Sequence, residues 1–162
     1  MPGHNRTGDE YGIVRCDPTS IGRVGAGCGA MRLFRSFSGN STSVRLNGER
    51  TFLRPPVERD WRSYAEIRAA SRQFLEPWEP TWPSDALSRD AFYRRLNRYA
   101  SDWRNDTGYS MFVFGQESGA LLGGISLSNV RRGVAQCGTL GYWIGEDFAG
   151  QGYMREGLGL LL

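Results

Sequence analysis

The residues with the clearest chemical potential lie in one run near the end of the chain: Tyr142-Trp143-Ile144-Gly145-Glu146-Asp147-Phe148-Ala149-Gly150-Gln151-Gly152-Tyr153-Met154. Gly150 and Gly152 stand just ahead of a helical pattern. Backbone N–H groups at such a helix start have no intrahelical partner and carry the positive end of the helix dipole. An anion such as a pyrophosphate suits that place, and glycine lets it approach the backbone closely. Strand-to-helix turns also use glycine for tight geometry alone, so an isolated Gly-x-Gly leaves both readings open. Two commoner phosphate loops fail. A P-loop needs Gly-Lys-Ser/Thr, whereas Gly152 is followed by Tyr153 and Met154. A dinucleotide fingerprint counted from Gly150 needs a small residue where Arg155 stands, and an acidic residue about twenty positions further on.

Other chemistry has few bearers. His4 is the single histidine, which removes Ser-His-Asp and Cys-His triads and histidine-ligated metals from the globular part. Cys16, Cys28 and Cys137 form no close pair, so neither a disulfide nor a metal site is expected. The run 25–30 satisfies Gly-x-Gly-x-x-Ala but follows no strand pattern, leaving a flavin or nicotinamide oxidoreductase with weak support. A proline-rich stretch over 74–83 holds Glu76, Trp78, Glu79 and Trp82. Its tryptophans serve either as a hydrophobic lid or as a wall of a substrate groove, and a carboxylate there could bind a substrate ammonium. No general base is assigned: Glu76, Glu79, Asn129 and Glu146 are the polar candidates, and each also has a structural reading.

The elements that must position these groups are legible as periodicity. Leu140, Tyr142 and Ile144 alternate with Thr139, Gly141 and Trp143, the period of a strand over 136–144. Met154, Leu158 and Leu161 then fall at helical spacing. Upstream, 50–54 reads as a strand ended by Pro55 and Pro56. Trp61, Tyr64, Ile67, Ser71 and Phe74 mark the inner face of a first helix. Phe92, Leu96, Tyr99 and Trp103 mark a second helix over 84–104, with Arg89, Arg94, Arg95, Arg98 and Arg104 as its solvated face. Strands over 109–116 and 121–129 complete an antiparallel meander with 136–144.

With its preceding strand, the glycine turn resembles motif A of the GNAT superfamily of N-acetyltransferases, Gln/Arg-x-x-Gly-x-Gly/Ala. The alignment is Ala149-Gly150-Gln151-Gly152-Tyr153-Met154, in which the central glycine matches and Ala149 replaces the usual Gln/Arg. The wider block, from Leu140 to Gly145 and from Gly150 to Glu156, is similar to the branch that acetylates the N-terminal alanine of ribosomal proteins. The resemblance covers about 45–162. It implies an α+β fold: a mixed, mainly antiparallel sheet flanked by helices, of which the C-terminal half would be missing here. It implies acetyl-CoA as co-substrate, its pantetheine arm on Tyr142, Trp143 and Ile144 and its pyrophosphate on Gly150, Gln151, Gly152, Tyr153 and Met154. The connection between the first two helices would border the acceptor, giving Glu76, Trp78 and Glu79 as substrate contacts. The acceptor would be an amine, such as a ribosomal protein N-terminus, acetylated by direct transfer. Many relatives carry a Glu on the fourth strand, where the nearby position here holds Thr139, and their thiolate-protonating Tyr follows the third helix. A truncated chain would leave the 136–144 edge open to self-association, and a noncatalytic CoA-binding or interaction fragment is the alternative.

Composition sets the remaining bounds. At 162 residues and 40% apolar, the chain can bury one domain's core. Residues 1–30 mix small and polar types without periodicity and read as a disordered extension, with Met31 as an alternative start of the domain spanning 31–162. A net charge of +3 gives little support to nucleic-acid binding. No apolar run reaches the roughly 18 residues of a membrane span, and no signal peptide is evident, so the expectation is a cytoplasmic protein.

Overall fold

The computed structural model describes residues 44–79, 81–134 and 136–162, with the backbone of 13–15. The strands are β1 (Ile13–Arg15), β2 (Leu46–Asn47), β3 (Thr51–Arg54), β4 (Tyr109–Gly115), β5 (Leu121–Arg131) and β6 (Cys137–Ile144). They form one sheet in the order β1-β6-β5-β4-β3-β2, and every neighbouring pair is antiparallel. The helices are α1 (Trp61–Ala70), α2 (Arg72–Leu75), α3 (Arg89–Arg104) and α4 (Tyr153–Leu161). The α+β expectation of a mainly antiparallel sheet flanked by helices therefore holds.

Alternation along β4 shows why both faces are covered. Met111 and Val113 join Leu53, Ile125 and Ile144 beneath Met154 and Leu161 of α4. Phe112 and Phe114 join Phe52 and Leu121 against Tyr64 of α1 and Phe92 of α3. Leu53, Val113 and Ile125 are almost wholly removed from solvent, each contributing about 1.5–3 kcal/mol.

Local contacts then fix the helices. Pro55 and Pro56 end β3, and Arg54 donates two 2.7 Å hydrogen bonds to the Asp60 carboxylate, which also accepts the Val57 N–H. That clamp sets the entry angle of α1. The helix breaks at Ser71, whose buried hydroxyl accepts the Glu146 N–H at 2.9 Å and so ties the α1–α2 junction to the end of β6.

Several expectations are corrected. The second helix starts at Arg89 rather than at 84, because Ser88 is extended and its hydroxyl accepts the Ala91 N–H as an N-cap, while turns occupy the residues before it. On the first helix the fully buried positions are Tyr64, Arg68 and, past the break, Ser71 and Leu75; Trp61, Ile67 and Phe74 are only half-buried. The break shifts the helical phase, which a single periodicity does not anticipate. Finally, Ile13–Arg15 pairs antiparallel with Thr139–Gly141, where the sequence suggests a disordered segment and an open β6 edge. Ile13 and Val14 are β-branched, a type suited to strands. The rest of 1–30 lies outside the described residues.

Candidate active site

The glycine turn is built as a strand-to-helix junction. β6 ends at Ile144, a single helical turn spans Glu146–Phe148, and α4 begins at Tyr153. Gly150 has φ +69° and Gly152 φ +83°, left-handed values that glycine adopts without steric cost. Gly152 is the N-cap of α4, and the first α4 hydrogen bond runs from the Glu156 N–H to its carbonyl at 3.1 Å. The N–H groups of Tyr153, Met154 and Arg155 therefore precede any intrahelical partner. Gly150, Gln151 and Gly152 are exposed, whereas Met154 is buried in the core under the turn.

Two residues that the sequence reading did not single out hold this turn against the sheet. Arg50 donates to the Gln151 carbonyl at 3.0 Å and lies 4.2 Å from the centre of the Tyr153 ring. Glu156 accepts the backbone N–H groups of Arg50 and Thr51 at 2.9 and 3.1 Å. Burial pushes the Glu156 carboxyl up, but the two N–H donors, with the Thr51 hydroxyl and the charge of Arg50, together hold the group below the usual carboxylate range. Glu156 and Arg50 are 106 positions apart, so no local pattern could have paired them. The one available signal was an acidic residue in the first turn of a helix.

β6 divides its side chains between the two faces of the sheet. Leu140, Tyr142 and Ile144 belong to the α4 side. Trp143 belongs to the other, where it meets Tyr64 and Phe112 edge-on at 5.8 and 6.2 Å between ring centres. Its indole lies across Gly124, directly opposite in the register; any Cβ at Gly124 would come 2.5 Å from Trp143 Nε1. A glycine is required there for the ring to lie against β5.

Beside Trp143 opens a cavity of about 310 Å³, walled by α1, α3, β4, β5 and the loop after α2. Arg68 enters it from α1 with a side chain only 7% exposed and forms an ion pair with Glu79, itself 8% exposed. The same Glu79 oxygen accepts the Trp82 Nε1–H at 2.7 Å. The Arg68 guanidinium lies 4.5 Å from the Trp82 ring centre and 5.0 Å from that of Trp143. Arg95 lines the cavity too, 5.3 Å from the ring of Tyr64, which corrects the expectation that all the α3 arginines form a solvated face. Of Glu76, Trp78 and Glu79, the three expected acceptor contacts, Glu79 alone lines the cavity, next to Trp82 of the same loop. Glu76 pairs with Arg72 on the surface, and Trp78 is 56% exposed, so the lid reading fails for Trp78.

Residues 50–162 match the family described as the acetyltransferase (GNAT) domain. The chain belongs to this family. Among its relatives is the [ribosomal protein uS5]-alanine N-acetyltransferase of Escherichia coli, 30% identical over 122 residues that make up 75% of this chain and 63% of that protein. A probable N-acetyltransferase of Bacillus subtilis is 24% identical over 117 residues, 72% of this chain and 65% of its own. The chain thus spans a little under two thirds of the curated relatives it matches. Similar solved structures include the ribosomal-protein-S5-alanine acetyltransferase of Vibrio fischeri, with TM-score 0.65, 23% identity, and 71% and 63% of the two chains covered. Another is Mycobacterium smegmatis RimJ in complex with CoA-disulfide, with TM-score 0.63, 22% identity, and coverage of 72% and 59%. These likenesses establish the GNAT fold.

Within this GNAT domain, the residues suggested by the motif are contiguous: the end of β6, the glycine turn and the start of α4. Thr139 is half-buried on β6, and its hydroxyl accepts the Asn129 Nδ2–H at 3.3 Å. Glu146 is exposed, with its backbone N–H held by Ser71. Among the described residues no cluster of three metal-ligating side chains occurs, and no helix is long and apolar enough to cross a membrane.

Proposed function

We propose that this chain is an acetyl-CoA-dependent N-acetyltransferase acting on the N-terminal amine of a protein, by direct transfer. The observation that carries the reading is the family match over 50–162 together with the turn it contains, where two left-handed glycines precede the unpartnered N–H groups of α4. Those donors suit the pyrophosphate of CoA, on Gly150, Gln151, Gly152, Tyr153 and Met154. The pantetheine arm would lie along the backbone of Tyr142, Trp143 and Ile144, just past the stretch that β1 covers. The relatives' names support a ribosomal protein N-terminus as acceptor.

In the proposed step the neutral amine attacks the thioester carbonyl carbon, a C–N bond forms, the C–S bond breaks, and the proton lost by the nitrogen balances the one taken up by the departing thiolate, so that CoA leaves as a thiol. An N-terminal amine has an ordinary pKa of about 8, so a useful fraction is neutral near pH 7 and orientation supplies much of the acceleration. The cavity beside Trp143 fits the acceptor, with Glu79 on its wall, and Glu76 and Trp78 on the same loop are proposed to contact the acceptor beyond its amine.

Calorimetric titration of acetyl-CoA, followed by a thiol-release assay with an alanine-initiated peptide, tests the reading. Saturable binding and acceptor-dependent CoA release are expected. Absence of acetyl-CoA binding would overturn the assignment. Binding without release would select the second reading, a CoA-binding chain without turnover.

A further inference from the structure

The cavity beside Trp143 has a charge imbalance that a simple amine does not explain. Its ionised lining groups are Arg68, Arg95 and Glu79, two cations against one carboxylate. Glu79 is committed to Arg68 and to the Trp82 N–H. Arg95 has no carboxylate within ion-pair distance among the described residues; its guanidinium rests on the Tyr64 ring and within hydrogen-bonding reach of the Tyr99 side chain, neither of which cancels its charge. Two further polar atoms on this wall, Arg68 Nε and the Tyr64 hydroxyl, are buried without a hydrogen-bond partner among the described residues. Both residues are nine-tenths or more buried, Tyr64 being 1% and Arg68 5% exposed.

Unmatched donors and an unbalanced cation in a partly enclosed space each cost free energy until an acceptor of negative charge arrives. A protonated amine arriving alone would add to the excess. A carboxylate would cancel it, and the planar fork of an arginine matches a carboxylate with two parallel hydrogen bonds.

We infer that the acceptor carries a carboxylate close to its amine, and that Arg95, on the wall formed by Arg68 and Tyr64, binds it. This rests on the cavity being the acceptor site of the acetyltransferase and adds an acidic group to the substrate class; a free amino acid as the source would replace the protein N-terminus as acceptor. The carboxylate comes either from an acidic side chain near a peptide N-terminus or from the α-carboxylate of a free amino acid. Arg95 is a specificity residue here: it selects the acceptor without touching the atoms that react.

The test is calorimetry on the full chain, without acetyl-CoA, using two matched pairs of probes: Ala-Asp-Gly-amide against Ala-Asn-Gly-amide, and L-alanine against L-alaninamide. In one pair or the other the carboxylate member should bind about tenfold more tightly than its amide, and which pair shows it assigns the source. Arg95→Gln should reduce that preference to about twofold or less. Arg95→Lys, which keeps the charge but loses the fork, should retain part of it and serves if the Gln variant folds poorly. No preference in either pair overturns the proposal, as does a preference that survives in Arg95→Gln. A separate acetyl-CoA titration keeps the two readings apart: carboxylate preference without acetyl-CoA binding sinks the acetyltransferase reading and leaves the anion site standing.

Discussion

Glu79→Ala is the most informative single change, because one carboxylate oxygen holds both Arg68 and the Trp82 indole N–H. Removing it strands a guanidinium whose side chain is only 7% exposed. Breaking a buried pair by deleting one partner costs about 3–5 kcal/mol, and the lost acceptor for Trp82 adds about 1 kcal/mol. Water entering from the adjoining cavity would solvate the stranded cation in part, so we expect a net loss of about 3 kcal/mol. At a urea slope of about 2 kcal/mol per M, the midpoint should fall by about 1.5 M. Arg68→Met should cost a similar amount, since it strands Glu79 in turn. The double variant Arg68→Met with Glu79→Leu leaves no buried charge and should lie within about 1 kcal/mol of the parent, as buried pairs replaced by apolar groups often do. Equilibrium urea unfolding of these proteins, with Glu79→Leu added as the matching single variant, closes the cycle. The reasoning fails if the double variant costs the sum of the two single ones. It also fails if Glu79→Ala costs under about 1 kcal/mol while Arg68→Met stays expensive, because the rings of Tyr64, Trp82 and Trp143 would then be holding the guanidinium rather than the carboxylate.

Two further outcomes follow from the turn. Gly152→Ala meets no atom closer than Arg50 Nη1 at 3.9 Å, so its cost is the left-handed backbone alone, about 1–2 kcal/mol by thermal or urea unfolding, and it should weaken acetyl-CoA binding at least threefold by calorimetry; unchanged affinity in a folded variant would take this residue out of the site. Glu156→Gln addresses pH: the folded carboxyl titrates below its unfolded value, so its contribution to stability is present above about pH 4.5 and is lost as pH falls through the folded pKa. The melting-temperature gap between parent and Glu156→Gln should therefore be widest near pH 6 and shrink toward pH 3, and a gap that grows on acidification would contradict the hydrogen-bond assignment.

The extent to which the sequence disclosed all this depends on the range of each interaction. β4 was legible because two aromatic residues alternate with Met111 and Val113, and α3 because Phe92, Leu96, Tyr99 and Trp103 repeat at helical spacing. The glycine turn was legible because backbone geometry restricts residue type. Arg68 was not. A periodicity argument assigns charged positions to solvent, and the partner that makes its burial tolerable arrives 11 residues later, in a proline-rich loop with no period at all. Arg95 was missed for the same reason: it sits beside the apolar stripe of α3, and only the position of Tyr64 on another helix decides that it turns inward. β1 pairs with a strand more than 120 positions away through three residues, fewer than any pattern test can resolve.

The two halves of the proposed site meet at β6, and the period of a strand dictates how. Tyr142 and Ile144 send their side chains toward α4, whereas Trp143 faces the cavity. Groups bound by side chains on the first face would be separated from an acceptor in the cavity by the full thickness of the sheet. A cofactor laid on backbone groups at this stretch avoids that separation, because the strand backbone is common to both faces. Smallness at Gly124 serves the same end by letting the Trp143 ring approach the β5 backbone beside the cavity. Arg68, in contact with both Trp82 and Trp143, joins the loop wall to the strand wall. The buried ion pair, joining α1 to the loop wall, is thus placed to set the width of the proposed acceptor cleft.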